Sequence, residues 1–255
     1  MMNTILDFYR DGGASLILLV VISFLVAGTV KGVIGLGLPT VSIGLLSVAM
    51  LPAQAAALLI VPSMVTNVWQ LAAGGRFLYL LRRLWPMLLA VCAGTWMAGA
   101  WLAGRSTGWA GHALGAALLV YAAIGLSAVR LSVPPRMEGW MGPVVGATTG
   151  VITSATGVFV IPAVPYLQAL GLDRNELVQA MGLAFTASTI ALAGDLVHSG
   201  DLGGREAWAS LLALAPALGG MWFGQWLRHR VSAPTFRRVF FVGVGALGIH
   251  LLLAG

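Results

Sequence analysis

Long stretches without a charged side chain are the feature that most constrains this chain. Eight runs of 17 to 44 residues contain no Asp, Glu, Lys or Arg, and the longest is Gly32–Gly75. About 20 apolar residues are enough for one helical crossing of a bilayer. Charged residues make up only 9% of the chain, against about 25% in soluble domains, so too few are present to cover a water-exposed surface. We predict an all-α, polytopic membrane protein that forms a single membrane domain over residues 1–255.

The charge balance and the cysteine count exclude several classes of function. A net charge of +6 would suggest nucleic-acid binding in a soluble chain. Here the 13 arginines and one lysine lie mostly in short gaps between apolar runs, so we predict no nucleic-acid partner. The single cysteine, Cys92, excludes an internal disulfide and a cysteine-based metal site. The sequence also lacks the HExxH, CxxC and GxxxxGK[ST] motifs, and a GxSxG motif with a paired histidine. We therefore predict no enzyme activity, metal, cofactor or ATP-driven transport by this chain alone.

The arginines predict the orientation of the chain in the membrane. Cytoplasmic connectors are enriched in Lys and Arg, and the two richest gaps are Arg76–Arg83 and Arg228–Arg238. Placing both inside puts ten arginines inside and leaves Arg10, Arg105 and Arg205 outside. This predicts an inner-membrane protein with both termini outside and with residues 130–138 inside. The gap at 74–83 is then inside and its counterpart at 199–206 is outside, so the two halves are predicted to be inverted.

An internal repeat supports a duplication. Residues 24–34 (FLVAGTVKGVI) resemble residues 142–152 (GPVVGATTGVI), 118 positions later. Each copy continues with a glycine-containing or hydroxyl-rich break, a short apolar segment, a turn and three long apolar segments. We place repeat one at about 14–130 and repeat two at about 139–255.

The opening element of each copy is too long for one straight crossing. The 34 uncharged residues of Gly139–Leu172 would reach about 51 Å as a helix, against a hydrocarbon core of about 30 Å. We predict a helical hairpin broken near its tip at the start of each repeat. A re-entrant hairpin and a pair of short, tilted membrane spans both fit the sequence. Either arrangement returns the chain to the side of the membrane from which it started.

The two breaks are the predicted binding site. In carriers built from inverted repeats, broken helices expose N–H groups and a positive dipole end to anionic substrates, and glycines let a ligand approach the backbone. We predict that the breaks at Gly35–Thr40 and Thr153–Gly157 face each other near the midplane and form one anion pocket. The candidate substrate-binding residues are Lys31, Gly35, Gly37, Pro39, Thr40, Asn67, Thr149, Thr153, Ser154, Thr156, Gly157, Thr186 and Ser188.

Several of these residues have a second interpretation. Lys31 is the only lysine, and an ionisable group in a membrane segment indicates a functional site, but it could also extend to the cytoplasmic headgroups. Cavity lining and helix packing both fit Thr66, Asn67, Gln70, Thr186, Ser188 and Thr189. Asp195 and His198 fit either a proton relay or an interfacial pair.

Parts of both copies resemble a known family. The stretch Lys31–Ser42 (KGVIGLGLPTVS), followed by Pro52–Ala57 (PAQAAA) and Pro62–Asn67 (PSMVTN), resembles the sulfite exporter TauE/SafE family. The hallmark of that family is a glycine-rich break with a nearby proline in both halves. The second copy fits at Gly146–Gly150 and at Gly157–Pro162, whereas residues 153–156 (TSAT) replace part of the glycine run.

This resemblance extends over nearly the whole chain and implies a function. It implies a secondary carrier for sulfur oxyanions or organosulfonates, with sulfite and sulfoacetate as the usual substrates. We expect export across the cytoplasmic membrane by alternating access between the two repeats; an anion channel and a structural membrane subunit are the alternatives. The expected partners are a small anionic substrate and the lipid bilayer, while a coupling proton or ion and a homo-oligomer are left open.

Overall fold

Ten α-helices, in two groups of five, make up the part of the chain that the computed structural model describes, residues 13–72, 74–102, 107–127 and 132–254. The first group contains α1 (Gly13–Ile34), α2 (Leu38–Leu46), α3 (Pro52–Ala72), α4 (Phe77–Leu102) and α5 (Ala110–Leu126), with a 3-10 turn at Thr107–Trp109 before α5. The second contains α6 (Pro135–Thr156), α7 (Ala163–Ala169), α8 (Arg174–Ser199), α9 (Gly204–Leu227) and α10 (Ala233–Ala254). Since these residues contain no strand, the all-α prediction is confirmed.

Six of the described helices are long and apolar enough to cross a membrane. They are α1, α3, α4, α8, α9 and the segment Pro234–Leu253 of α10. The 17 residues of α5 and its preceding 3-10 turn together reach about 31 Å. Large apolar side chains such as Trp222 and Met97 are about three-quarters exposed, as lipid-facing residues are in a bundle of this kind. The chain is therefore a multi-pass membrane protein.

Each group begins with a long helix, a break and a short helix, as the sequence predicts. α1 ends at Gly35 with φ +78°, and α6 ends at Gly157 with φ +74°. Each glycine N–H donates to the carbonyl four residues earlier, Lys31 O at 2.8 Å and Thr153 O at 2.7 Å. Glycine adopts this left-handed conformation without the steric cost of a side chain. The short helices have nine and seven residues and reach about 13 and 10 Å, too little to cross a bilayer.

The two groups exchange helix partners in a regular way. The first helix of each group packs on the fourth helix of the other, α1 on α9 and α6 on α4. The third helices, α3 and α8, pack on each other, and so do the fifth helices, α5 and α10. A two-fold relation between the groups would produce this pairing. The inverted orientation of the groups relative to the membrane stays a prediction.

The repeated glycines explain the closest of these contacts. A Cβ atom at Gly28 or Gly32 would collide with the backbone of α9 at Ala217 and Met221, and one at Gly146 or Gly150 would collide with the backbone of α4. Small residues let membrane helices approach closely where there is no water to drive association. The GxxxG pair of each repeat is therefore a packing motif.

Candidate functional site

A buried polar cluster lies where α1, α3 and α8 meet. The Lys31 ammonium, 5% exposed, donates to Thr66 Oγ1 at 3.0 Å and to Asn67 Oδ1. The Asn67 amide donates to Ser63 Oγ at 3.0 Å and to Thr189 Oγ1 at 3.2 Å, and these two hydroxyl oxygens are 3.2 Å apart. We call Lys31, Ser63, Thr66, Asn67 and Thr189 the Lys31 cluster. Lys31 therefore points into the bundle in this structure rather than along α1 towards a surface.

A proline in α3 sets up one side of the cluster. Pro62 has no N–H, so the carbonyl of Leu58 loses its partner within the helix. Ser210 of α9 donates to this carbonyl at 2.8 Å and accepts from the N–H of Val61 at 2.9 Å. One turn later, the Thr66 hydroxyl donates to Pro62 O at 2.7 Å. Because its proton is used there, the Thr66 oxygen presents lone pairs to the Lys31 ammonium.

The Lys31 ammonium has no carboxylate partner within the described part of the chain. The ion pairs there are Arg76–Glu176 and Arg83–Glu138. Removing an ammonium from water costs several kcal/mol unless it is paired. Two neutral oxygens and the negative end of the α1 dipole, where Lys31 occupies the last turn, offset part of that cost. An ammonium has three N–H donors, so one remains for a ligand, and an anion would compensate the charge.

The first break lies one helical turn from the cluster. Gln70 follows Asn67 on α3 and donates Nε2 to Gly35 O at 3.1 Å, while its buried Oε1 has no hydrogen-bond partner in the described residues. A Cβ atom added at Gly35 would meet only this Gln70 nitrogen, at 3.9 Å. The backbone at Gly35 is therefore open to close approach.

The remaining residues of the first break form the start of α2. Gly37 is the N-cap of α2 with φ +104°, and a Cβ there would lie 2.7 Å from the Val30 side chain. Pro39 occupies the first turn of α2. Thr40 is fully buried and donates its hydroxyl to Gly37 O at 3.0 Å. These three residues shape the helix start.

The threonine hydroxyl groups of the second break point to their own helix, whereas Ser154 donates its hydroxyl to Asp195 Oδ2 of α8 at 2.7 Å. Thr149, Thr153 and Thr156 are buried, and each donates at 2.7 Å to the carbonyl four residues earlier. Thr186 of α8 does the same to Gly182 O, and Ser188 is buried beside Thr189. The sequence analysis expected free hydroxyl donors at the second break. In the structure these threonine protons are occupied, because a carbonyl one turn back is always within reach of a helical threonine.

The glycines of the two breaks contact α3 at different levels, and the single pocket between the breaks stays a prediction. Gly35 contacts α3 at Gln70, whereas a Cβ at Gly157 would lie 3.0 Å from Ala56 near the start of α3 and 2.7 Å from Ile43 of α2. Ala56 and Gln70 are fourteen positions apart, about 21 Å along a helix. The Lys31 cluster, at residues 63–67 of α3, lies between these two levels.

The structure also revises which residues correspond in the two repeats. The sequence repeat pairs Lys31 with Thr149. Gly35 and Gly157 are the left-handed glycines at the ends of α1 and α6, and each donates its N–H to the carbonyl four residues earlier. By this criterion the counterpart of Lys31 is Thr153. Ser63 was missed as a candidate, although it lies four residues before Asn67 on the same face of α3.

Two cavities are described, and neither includes a residue of the Lys31 cluster. The larger, of about 570 Å³, is lined by Arg174, Asn175, Val178, Arg228 and His229. The smaller, of about 60 Å³, adjoins the Arg83–Glu138 ion pair and Tyr166.

Comparison with known proteins gives a family match. A family model described as "Sulfite exporter TauE/SafE" matches residues 20–251, more than nine-tenths of the chain. No curated protein and no solved structure matches the chain.

Proposed function

Because the chain belongs to the sulfite exporter TauE/SafE family, whose members are membrane transporters, we propose that it is a secondary carrier of small sulfur-containing anions such as sulfite or sulfoacetate. The proposal includes a location in the inner membrane and export by alternating access. The observation that carries it is the Lys31 ammonium, buried without a carboxylate partner in the described residues and one turn from a helix break with an accessible backbone.

The proposed substrate contacts fall into two groups. In the first group, the third N–H of Lys31, the Asn67 side chain and the backbone between Gly35 and Thr40 would contact the anion. The second group would contact the substrate in another conformation of the carrier, once the threonine hydroxyl protons leave the helix carbonyls and the Ser154 proton leaves Asp195. It comprises Thr149, Thr153, Ser154, Thr156, Gly157, Thr186 and Ser188.

The packing supports movement of one part of the bundle against another. The α1–α9 and α4–α6 pairs are joined backbone to backbone through glycines, so each pair is expected to move as a rigid unit. The α3–α8 interface has a backbone contact of this kind at Gly182, but it is also made partly of side-chain hydrogen bonds, such as Asn67 to Thr189, which can be exchanged. Discrete packing alternatives of this kind underlie alternating access.

Transport by the purified chain in proteoliposomes tests the proposal. We expect saturable uptake and counterflow of sulfite or sulfoacetate from a panel that also contains thiosulfate, sulfate, taurine and chloride, measured with and without a pH gradient. Flux that does not saturate and shows no counterflow would identify a channel. Absence of flux for every anion, from correctly folded protein, would favour a structural subunit.

A further inference from the structure

A second ionisable group within the membrane helices is not used by the proposed anion site. We propose that Asp195 of α8 binds a proton and that its protonation state controls how firmly the second break is held, through Ser154. This inference rests on the proposed transport function. It assigns the coupling ion as a proton and gives its site on the chain.

Three helices converge on the Asp195 carboxylate. It lies six residues beyond Thr189 on α8, about 9 Å along the helix from the Lys31 cluster, and is half-buried. Its Oδ2 accepts the hydroxyl proton of Ser154 of α6 at 2.7 Å. Its Oδ1 lies against Gly99 of α4, where a Cβ atom would collide with it. The carboxylate therefore occupies a site that α4, α6 and α8 build together.

Within the described residues, the Asp195 carboxylate has no ion-pair partner. The charged or titratable groups that influence it are His198, one turn further on α8, and Asp201 in the following turn. From the other two helices it is contacted by Ser154 and Gly99, neither of which titrates. An acidic side chain in a membrane helix without a fixed cation is typical of ion and proton pathways.

Protonation would act directly on the second break. A proton from water would add to Oδ1, and the carboxylate would become a neutral acid. The Ser154 hydrogen bond would then change from a charge-assisted bond to a neutral one, about half as strong. Ser154 lies three residues before Gly157, where α6 ends. Proton binding would thus loosen the last turn of α6 from α8, next to Thr153 and Thr156.

Transport under an imposed pH gradient tests the coupling. We expect the gradient to stimulate anion flux through the wild-type protein several-fold and to have no effect on Asp195→Asn. Asp201→Asn is the matched control: it removes the same charge six residues away, where the carboxylate binds Ser199 at the surface, and it should keep full stimulation. Ser154→Ala removes the hydrogen bond to Asp195 and should shift the midpoint pH of the stimulation, whatever its effect on the absolute flux. Wild-type flux that ignores the gradient, or stimulation retained in Asp195→Asn, would overturn the proposal.

A spectroscopic measurement separates this inference from the transport function. Infrared difference spectra of the purified full-length protein between acidic and neutral pH should contain a carbonyl band of a protonated carboxyl group. Because all eight acidic side chains can contribute to this band, we expect Asp195→Asn to remove one component of it. Ser154→Ala should shift that component, and Asp201→Asn should leave it in place. If the wild-type protein transports no anion, the proposed transport function is wrong, but the band still reports whether Asp195 binds a proton. If Asp195→Asn removes no component of the band, the proton site is wrong.

Discussion

Lys31 has a well-defined position without any partner of opposite charge in the described residues. Thr66 and Asn67 orient its ammonium, and Ser63 and Thr189 orient Asn67. Each oxygen that receives a lysine proton is thus fixed by a further hydrogen bond. A rigid cation that lacks only an anion is a pre-organised anion site, because little reorganisation is needed when the ligand binds.

Replacement of Lys31 by Met should separate substrate binding from stability. Loss of a hydrogen bond to a charged ligand costs about 1.5–3 kcal/mol, so we expect the half-saturation concentration for transport to rise tenfold or more. The thermal unfolding midpoint should stay the same or increase, since a buried, uncompensated charge is removed. Thr148→Val is the control: Thr148 is exposed on α6 and bonds its own helix at 2.9 Å. Unchanged half-saturation in folded Lys31→Met would place the anion site elsewhere.

Sequence patterns could identify the cluster only in part. A single lysine within an apolar run and an asparagine in a membrane helix are rare enough to be noticed, and the structure brings Lys31 and Asn67 into contact. The direction of the threonine hydroxyls could not be predicted, because a bond to a substrate and a bond to the helix carbonyl require the same sequence. The pairing of Ser154 with Asp195 depends on the packing of α6 on α8, which leaves no local signal.

At the scale of elements, glycines decide which helices can pair. Gly220 and Gly224 of α9 lie on the backbone of α1 at Leu25 and Thr29, so these two helices touch without intervening side chains. The breaks at Gly35 and Gly157 were predictable, since glycine and proline interrupt long apolar runs. The positions on α3 that the two breaks contact were not predictable. Glycine and proline in a sequence indicate where a helix is interrupted but not which neighbouring helix the chain then contacts.

Two adjacent glycines of α9 allow a matched test of the α1–α9 contact. A Cβ at Gly220 would collide with the carbonyl of Leu25, whereas a Cβ at Gly219 would have nothing within 4 Å. Gly220→Ala should destabilise the protein by about 1–3 kcal/mol through overpacking. Gly219→Ala should be neutral or stabilise it by up to about 1 kcal/mol, because alanine favours the helix. Equal unfolding midpoints for the two variants in detergent would contradict the close approach of α1 and α9.

The Arg83–Glu138 pair connects α4 to the beginning of α6. Arg83 donates to both carboxylate oxygens, at 2.9 and 2.6 Å, and to Leu170 O at 3.1 Å beyond the end of α7. A double-mutant cycle with alanine should give a coupling energy of about 1.5–3 kcal/mol, as for other hydrogen bonds to charged groups. The same cycle for Arg76–Glu176, where the arginine side chain is 64% exposed, should give about 0–1 kcal/mol. Equal coupling energies would show that Arg83–Glu138 is only a surface pair.

At the scale of the whole molecule, the order of elements bears on how the halves are related in the membrane. The short helices α2 and α7 are too short to cross a bilayer, and the sequence analysis predicts that each hairpin returns the chain to its starting side. Three long helices then follow in each half, which gives an odd number of crossings. A second half that begins on the opposite side must be inverted, and the exchanged pairs α1–α9 and α4–α6 fit that relation.

The odd number of crossings predicted for each half can be tested by cysteine labelling at two positions. We expect Arg136, exposed in the first turn of α6, to face the cytoplasm, and Asp201, exposed between α8 and α9, to face the periplasm. In a Cys92→Ser background, Arg136→Cys should react with a membrane-impermeant maleimide only in inverted vesicles, and Asp201→Cys only in intact spheroplasts. A C-terminal tag and a cysteine at position 3, which lies outside the described residues, should both be accessible from the periplasm. Periplasmic labelling at position 136, or protection of the tag, would contradict both the orientation and the inverted relation of the two halves.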